Sequence, residues 1–377
     1  MMYYLYKLSI GAPTDFLKAL NVFQYITFRA VAAAVTAFLL SLIFGNWVIR
    51  RLISLKLGQP IRTKEEVHKL FELHGGKAGT PTMGGVMLLG AVVVSSLVWA
   101  RPDNTAVWLL LFTIVYCGAL GFWDDYLKVS KKNAAGLSER TKLIGQGVLA
   151  AIVTSYFLLN PAIEVQARSL YVPFYKTAII ENLSWFTLIF FALVIVGASN
   201  AVNLTDGLDG LAAGCTITTA FAYGVLSYVA GNVRIAAYLD VPFYPFAGEL
   251  AVICMALVGA SFGFLWFNCH PAKVFMGDTG SLAIGGFLGV AAICCKQELL
   301  LVVVGGVFVI EALSVLIQRT FFKVTKRIYG EGRRVFLMSP IHHHFELKGW
   351  KENTVIVRFW VLSVMFALLG LATLKLR

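Results

Sequence analysis

Three short segments bring carboxylates, amides and glycines together in patterns that suit phosphate chemistry. GFWDDYLK places Asp124 and Asp125 side by side after an apolar run. Adjacent carboxylates repel, which raises one pKa unless a cation neutralises them, and Mg²⁺ holding phosphate oxygens is a natural partner. The plainer alternative is a solvated helix end. NAVNLTDGLDG spaces Asn200, Asn203, Asp206 and Asp209 by three. On an unbroken helix this set would spiral, but Gly207 and Gly210 predict a break that lets the side chains converge on a phosphate–metal or nucleotide site. Capping of the next helix is the alternative, and it needs fewer polar groups than stand here. NCHPAKVFMGDTGS sets Asp278 in a Gly-flanked turn, with Asn268, Lys273 and Phe275 upstream. Such a turn lets backbone N–H groups and a carboxylate approach one ligand, while Lys273 suits a phosphate and Phe275 a stacked base. An N-cap is again the plainer reading of Asp278.

Basic groups complete the set. GGKAGTPTMGG invites a phosphate-loop reading, but Lys77 is followed by Ala78 and position 71 is Phe, so the P-loop pattern fails. A mobile basic loop remains. SPIHHHFELKGW carries His342, His343 and His344 in a row. Contiguous imidazoles diverge, and no Cys or spaced His completes a zinc set, so phosphate contacts or proton transfer are the better reading. Glu311 lies inside an apolar run, deeper than the other acids, and is expected to hydrogen-bond between helices. Gln318 follows at the run's edge.

The elements that must position these residues are membrane helices. Of 377 residues, 58% are hydrophobic and 14% charged, and mean hydropathy is +0.77. Soluble domains carry roughly 45–50% apolar and about 25% charged residues. Disorder, a coiled coil, a collagen-like fibre and a soluble enzyme are excluded. Ten runs approach spanning length: 26–49, 83–100, 105–123, 143–159, 183–199, 210–230, 250–267, 281–295, 299–317 and 355–374. The run at 281–295 is short and is expected to tilt or extend into its flanks. The first 25 residues lack a cleavable signal pattern, so the first run reads as an uncleaved anchor.

Net charge is +12, which in a soluble chain would suggest nucleic acid; here the positive-inside rule is the simpler cause, and no nucleic-acid partner is expected. Loops 50–82, 124–142, 200–209, 268–280 and 319–354 hold 21 of the 32 Lys and Arg. They are therefore assigned to the cytoplasm and both termini to the periplasm. All six histidines and twelve of the twenty acids share those loops. Five of the six cysteines lie in apolar runs and no CxxC occurs, so they read as buried hydrophobes. No repeat, low-complexity tract or long linker divides residues 1–377. The expected fold is an all-α polytopic integral membrane protein of about ten helices with its active site on cytoplasmic loops. Carboxylates for Mg²⁺, amides, cations and a membrane point to phosphoryl transfer to or from a lipid.

GTPTMGG, GFWDDYLKV, NAVNLTDGLDGL, FLWFN, KVFMGDTGSL, PIHHHFELKGW and VIVRFW together resemble the phospho-N-acetylmuramoyl-pentapeptide transferase family, within the polyprenyl-phosphate N-acetylhexosamine-1-phosphate transferases. The likeness runs from about residue 25 to the C-terminus, in the family's motif order. Lys323 to Arg334 departs from it as a longer connection before the histidines. The resemblance implies ten helices with both termini periplasmic, in the bacterial cytoplasmic (inner) membrane, and a homodimer. It implies transfer of phospho-MurNAc-pentapeptide from UDP-MurNAc-pentapeptide to undecaprenyl phosphate, giving lipid I and UMP. Mg²⁺ is the implied cofactor, with Asp278 its principal ligand and Asp124 and Asp125 beside the lipid phosphate. Asp206 and Asp209 would complete the acidic site, with Asn200, Asn203 and Asn268 nearby. Lys77, Lys128, Lys142 and His342 to His344 would meet phosphates or the sugar, Thr82 the substrate, and Phe275 and Gln318 the uracil.

Direct attack by the lipid phosphate on the β-phosphate is the expected mechanism, with Asp124 or Asp125 as base. A phospho-enzyme formed on an aspartate is the competing scheme. Two other functions stand beside the main one. A sister transferase for GlcNAc-1-phosphate is disfavoured by PTMGG and the triple His. A transporter of anions or nucleotides is disfavoured because only Glu311 lies at depth and no repeat is visible.

Overall fold

The computed structural model describes residues 1–10, 14–55, 79–130, 136–161, 163–175 and 177–374. Lys77 and most of the loop expected over 50–82 lie outside them. All ten apolar runs are helical, and among the described residues there is no β-strand, only an isolated bridge between Leu170 and Ile180. The principal helices are α1 (Ile26–Ser54), α2 (Gly85–Trp99), α3 (Thr105–Ser130), α4 (Glu139–Leu158), α5 (Phe186–Thr205) and α6 (Leu211–Ala230). They are followed by α7 (Leu250–Asn268), α8 (Gly277–Cys294), α9 (Leu300–Val304), α10 (Gly306–Tyr329), α11 (Ile341–Leu347) and α12 (Glu352–Ala372).

Eight of these are long and apolar enough to cross a membrane: α1, α3 to α8 and α12. The short eighth run gains its length by extending back over Gly277–Ser281. Helix α2 has only 15 residues, about 22 Å against a hydrocarbon core of about 30 Å. Its N-terminal side is continued by a strip, Pro81 and Thr82 followed by left-handed Met83, which is buried and lies against the site. The ninth run is interrupted at Gly305, where α9 ends and α10 begins. Helix α10 then continues past the apolar run to Tyr329, with Lys326 and Arg327 in its last turn, and stops at left-handed Gly330.

Burial orders the bundle. Of the apolar window of α8, 89% is buried, against 28% for α1, so α8 is the central post and α1 an outer one. Helix α8 packs on α3 and α5, and α7 on α1 and α6. In lipid the hydrophobic effect does not separate helix–helix from helix–tail contact, so close backbone approach at small residues does more. At Gly285 and Gly289 α8 lies against the backbone of α5 at Ala198 and Ile195, leaving no room for a Cβ at Gly285. Outward faces carry Trp, Phe, Leu and Val, as lipid contact requires.

Polar groups gather at the two ends. At one end Arg29, which the sequence puts inside a run, makes a bidentate pair with Glu249, both contacts 2.6 Å. The Met1 ammonium donates to the Leu97 and Val98 carbonyls at the same end. The other end carries Asp124, Asp125 and Asp278.

Candidate active site

Helix α3 runs straight through Asp124 and Asp125 to Ser130, so the pair is not a frayed terminus but two consecutive positions on a formed helix. Consecutive residues point about 100° apart, and the two carboxylates take different partners. Asp125 turns to α8. Its Oδ2 accepts from the Thr279 amide and hydroxyl at 3.0 and 2.8 Å, and its Oδ1 from the Asp278 amide at 3.2 Å. Asp125 thus caps a neighbouring helix whose own N-cap, Met276, offers no side-chain acceptor. Asp124 Oδ1 accepts from the Leu137 amide at 2.6 Å. Its Oδ2 lies 2.6 Å from Lys128 Nζ and 2.9 Å from Lys142 Nζ.

Asp278 closes the centre. Its Oδ2 is 2.6 Å from Lys142 and 3.1 Å from Lys128, and its Oδ1 accepts from Asn203 Nδ2 at 2.9 Å. Asn203 also donates to Ser281 Oγ. Helices α3, α4, α5 and α8 therefore each supply one or more groups to a single point. Asp124, Asp125 and Asp278 each bring an oxygen within 4.8 Å of the others. Three hard oxygen donors at that separation fit a small divalent cation, and the two lysines balance much of the charge without one.

The strip before α2 is zipped onto the turn before α8. Phe275 N donates to the Pro81 carbonyl, and Gly84 N and Gly85 N donate to the carbonyls of Phe275 and Met276. Buried Thr82 lies beside Gly277. Two motifs 190 residues apart in sequence are thus one piece of structure.

The segment between α5 and α6 breaks as the glycines predict, but its polar groups diverge. Only Asn203 reaches the centre directly. Asp206 sits at the Gly277 amide, where burial, and then the charges of Asp278 and Asp125, push its carboxyl up to about 8. Asp209 joins His270 at 3.1 Å and the Ala272 amide, and His270 lies 3.5 Å from Glu352 of α12. Asn268 is buried, accepting from the Gly210 amide and donating to the Val274 carbonyl. Asn200 donates to Gln146 Oε1 rather than toward Asp278.

The three histidines separate, as contiguous imidazoles must. His342 is wholly buried, with Nδ1 3.1 Å from Glu311 Oε1 and its ring against Gly207. His343 Nδ1 is 2.7 Å from Glu346. His344 Nδ1 accepts from the Leu337 amide, and desolvation, helped by Lys348, lowers its pKa and keeps it neutral. Gln318 accepts from the Val335 and Phe336 amides and donates to the Phe336 carbonyl, holding the strip before the histidines to α10. Gln146, Thr279 and Glu352 were not legible as site residues. For Gln146 a signal existed: an amide in an apolar run, one turn beyond Lys142.

Residues 107–296 match the model of Glycosyl transferase family 4, and residues 77–89 match Phospho-N-acetylmuramoyl-pentapeptide-transferase signature 1. The chain is 52% identical over 377 residues to a phospho-N-acetylmuramoyl-pentapeptide-transferase of Methylacidiphilum infernorum, covering 100% of both chains. It is 51% identical over 357 residues to one of Desulfotalea psychrophila, covering 95% of this chain and 96% of that one. A zipped signature strip, a carboxylate–lysine centre at one end of a helical bundle and likeness over the whole length lead to one assignment: the chain belongs to the phospho-N-acetylmuramoyl-pentapeptide-transferase family.

Proposed function

We propose that this chain transfers phospho-MurNAc-pentapeptide from UDP-MurNAc-pentapeptide to undecaprenyl phosphate, releasing UMP and forming lipid I in peptidoglycan synthesis. The observation that carries this reading is identity of 52% over the full length; the convergence of Asp124, Asp278, Lys128 and Lys142 supplies chemistry to match. The signature at residues 77–89 favours it over a GlcNAc-1-phosphate transferase. Clustering of charge at a bundle end rather than at mid-depth favours it over a transporter.

Residues 1–377 act as one transferase domain in the bacterial inner membrane, as a homodimer, with the carboxylate-bearing end in the cytoplasm where the basic loops lie. Asp278, Asp124 and Asp125 would hold Mg²⁺, which when bound supplies positive charge opposite the phosphate oxygens. Lys128 and Lys142, already within salt-bridge distance of two carboxylates, exchange those contacts for phosphate oxygens as substrates arrive. Asn203 keeps Asp278 Oδ1 oriented. An undecaprenyl phosphate oxygen attacks the β-phosphorus, its bond to the UMP oxygen breaks, and UMP leaves. Asp124 accepts the proton of a protonated lipid phosphate; Asp125, committed to the α8 amides, fixes the helix that carries Asp278. The uracil would lie near Phe275, with Thr82, Asp206, Asp209 and His342 to His344 on the nucleotide and sugar side. Asn200, Asn268 and Gln318, whose amides are taken up by protein partners, brace it, and Lys77, outside the described residues, would add a phosphate contact.

The test is UMP release by purified protein in detergent, with each substrate alone and both together, with Mg²⁺ or chelator, and with Asp278→Asn in parallel. UMP that needs both substrates and metal and is lost in the variant is the expected result. UMP from the nucleotide sugar alone, one equivalent per protein, would replace direct attack by a phospho-enzyme. No UMP from folded protein would sink the enzyme reading.

A further inference from the structure

One helical turn beneath the lysine–aspartate centre, three of its four helices, α4, α5 and α8, meet again through uncharged groups. Gln146 stands four residues after Lys142 on α4, Ser199 four before Asn203 on α5, and Leu282 four after Asp278 on α8. Residues four apart share a helix face, so the lower layer repeats the upper one. Gln146 Nε2 donates to Ser199 Oγ at 2.9 Å, and Ser199 Oγ donates to the Leu282 carbonyl at 3.0 Å. Asn200 Nδ2 donates to Gln146 Oε1 at 2.8 Å. Gln146 and Ser199 are fully buried.

Helix α4 is one of the less buried helices and carries a lysine of the centre. Only 33% of its apolar window is buried, so most of its surface faces lipid. Lipid tails are as apolar as the bundle interior and place little restraint on the helix's rotation. Directional hydrogen bonds to α5, and through Ser199 to α8, do restrain it. Lys142 needs that restraint, because its long stem must bring one ammonium to both Asp124 and Asp278.

We propose that Gln146 is a positioning residue: it sets the rotation and height of α4, so that Lys142 meets the carboxylates of α3 and α8. Asn200 belongs to the same layer, its amide holding Gln146 in place. The kinetic consequence rests on the transferase reading; the positional one does not.

Two readouts test it. In UMP release, Gln146→Leu is expected to lower kcat about tenfold, the effect of leaving buried polar partners unpaired, with KM for the nucleotide sugar within about twofold. Combined with Lys142→Ala it should add less than about twofold, because the two act through one contact. Leu149→Ala, a buried apolar change on the same helix, should lower the melting temperature yet leave kcat near wild type. Ser199→Ala, which removes both the acceptor of Gln146 and the link to α8 at nearly constant volume and leaves Gln146 only its bond from Asn200, should lower kcat by a few fold, and serves if Gln146→Leu does not fold. The second readout needs no turnover: modification of Lys142 by a water-soluble acylating reagent, followed by peptide mass spectrometry. It should rise severalfold in Gln146→Leu and stay unchanged in Leu149→Ala. Losses that multiply in the double variant, or Lys142 labelling equal to wild type, would overturn the proposal. Wild-type protein that makes no UMP would overturn the transferase reading, while the labelling still decides the role of Gln146.

Discussion

Helix α3 passes the start of α8 so closely that a Cβ on Gly121 would overlap the Asp278 carbonyl. That contact lies one turn before Asp125, whose carboxylate caps the same helix. In an ordinary helix interior, Gly→Ala stabilises by roughly 0.5–1 kcal/mol. Here Gly121→Ala should destabilise by about 1–3 kcal/mol as an overpacked contact, and push Asp278 away from Lys142. A raised melting temperature in detergent, or unchanged UMP release, would show that the close approach is not needed.

Lys142 and Lys128 each face two or more carboxylates. Lys142→Ala should reduce kcat by about 10²-fold, the scale for losing a preorganised charge at a phosphoryl-transfer centre. Chelation of Mg²⁺ should stop turnover, and added Mg²⁺ should restore it. Asp278→Asn should not recover at any Mg²⁺ concentration. Titrating Mg²⁺ against initial rate for wild type and both variants checks all three.

Glu311 and His342 are both wholly buried and face each other at 3.1 Å. Glu311→Leu leaves the imidazole without its partner in a low-dielectric site and should cost about 1–3 kcal/mol of stability. Glu311→Gln keeps an acceptor of the same shape and should cost less. Because His342 lies against Gly207, the leucine variant should also weaken nucleotide-sugar binding by loosening the segment that carries Asp206 and Asp209. Thermal unfolding and KM, measured side by side, check this; equal behaviour of both variants would refute it.

Asp206, at about 8, carries a pH signature. Its carboxyl is raised above the unfolded value of 3.8, so between those limits the folded, metal-free protein binds the extra proton. Stability then falls as pH rises through that window, because the unfolded chain gives up its proton freely while burial, and then the charges of Asp278 and Asp125, keep the folded carboxyl protonated. Melting temperatures of metal-free wild type should drop from about pH 5 to about pH 8, where unfolding releases that proton, and Asp206→Asn should flatten the slope. Parallel slopes would refute the assignment.

Much of the fold was legible because each element states its own environment. Ten long apolar runs read as helices in lipid, since only a helix satisfies the backbone of such a run within the segment itself. Glycines at 207 and 210 announced the break between α5 and α6, and charge placed the chemistry at one end. Motif chemistry singled out Asp124 and Asp278, and the family resemblance Lys128 and Lys142, on segments that the structure brings together. The ninth run was less legible, since hydropathy does not register that Gly305 splits it or that α10 continues beyond it.

Which polar group does what was decided only in three dimensions. Asp124 and Asp125 are identical and adjacent, yet one faces two lysines and the other caps α8, because a 100° step along α3 separates their directions. Asn200 and Asn203 look equivalent in sequence, but only Asn203 touches Asp278, and Asn200 serves Gln146 one turn below. The histidines likewise divide among Glu311, Glu346 and the Leu337 amide. Sequence fixes residue type and local periodicity; partners arise from how helices far apart in the chain are rotated and spaced, which the small residues and buried hydrogen bonds between them determine.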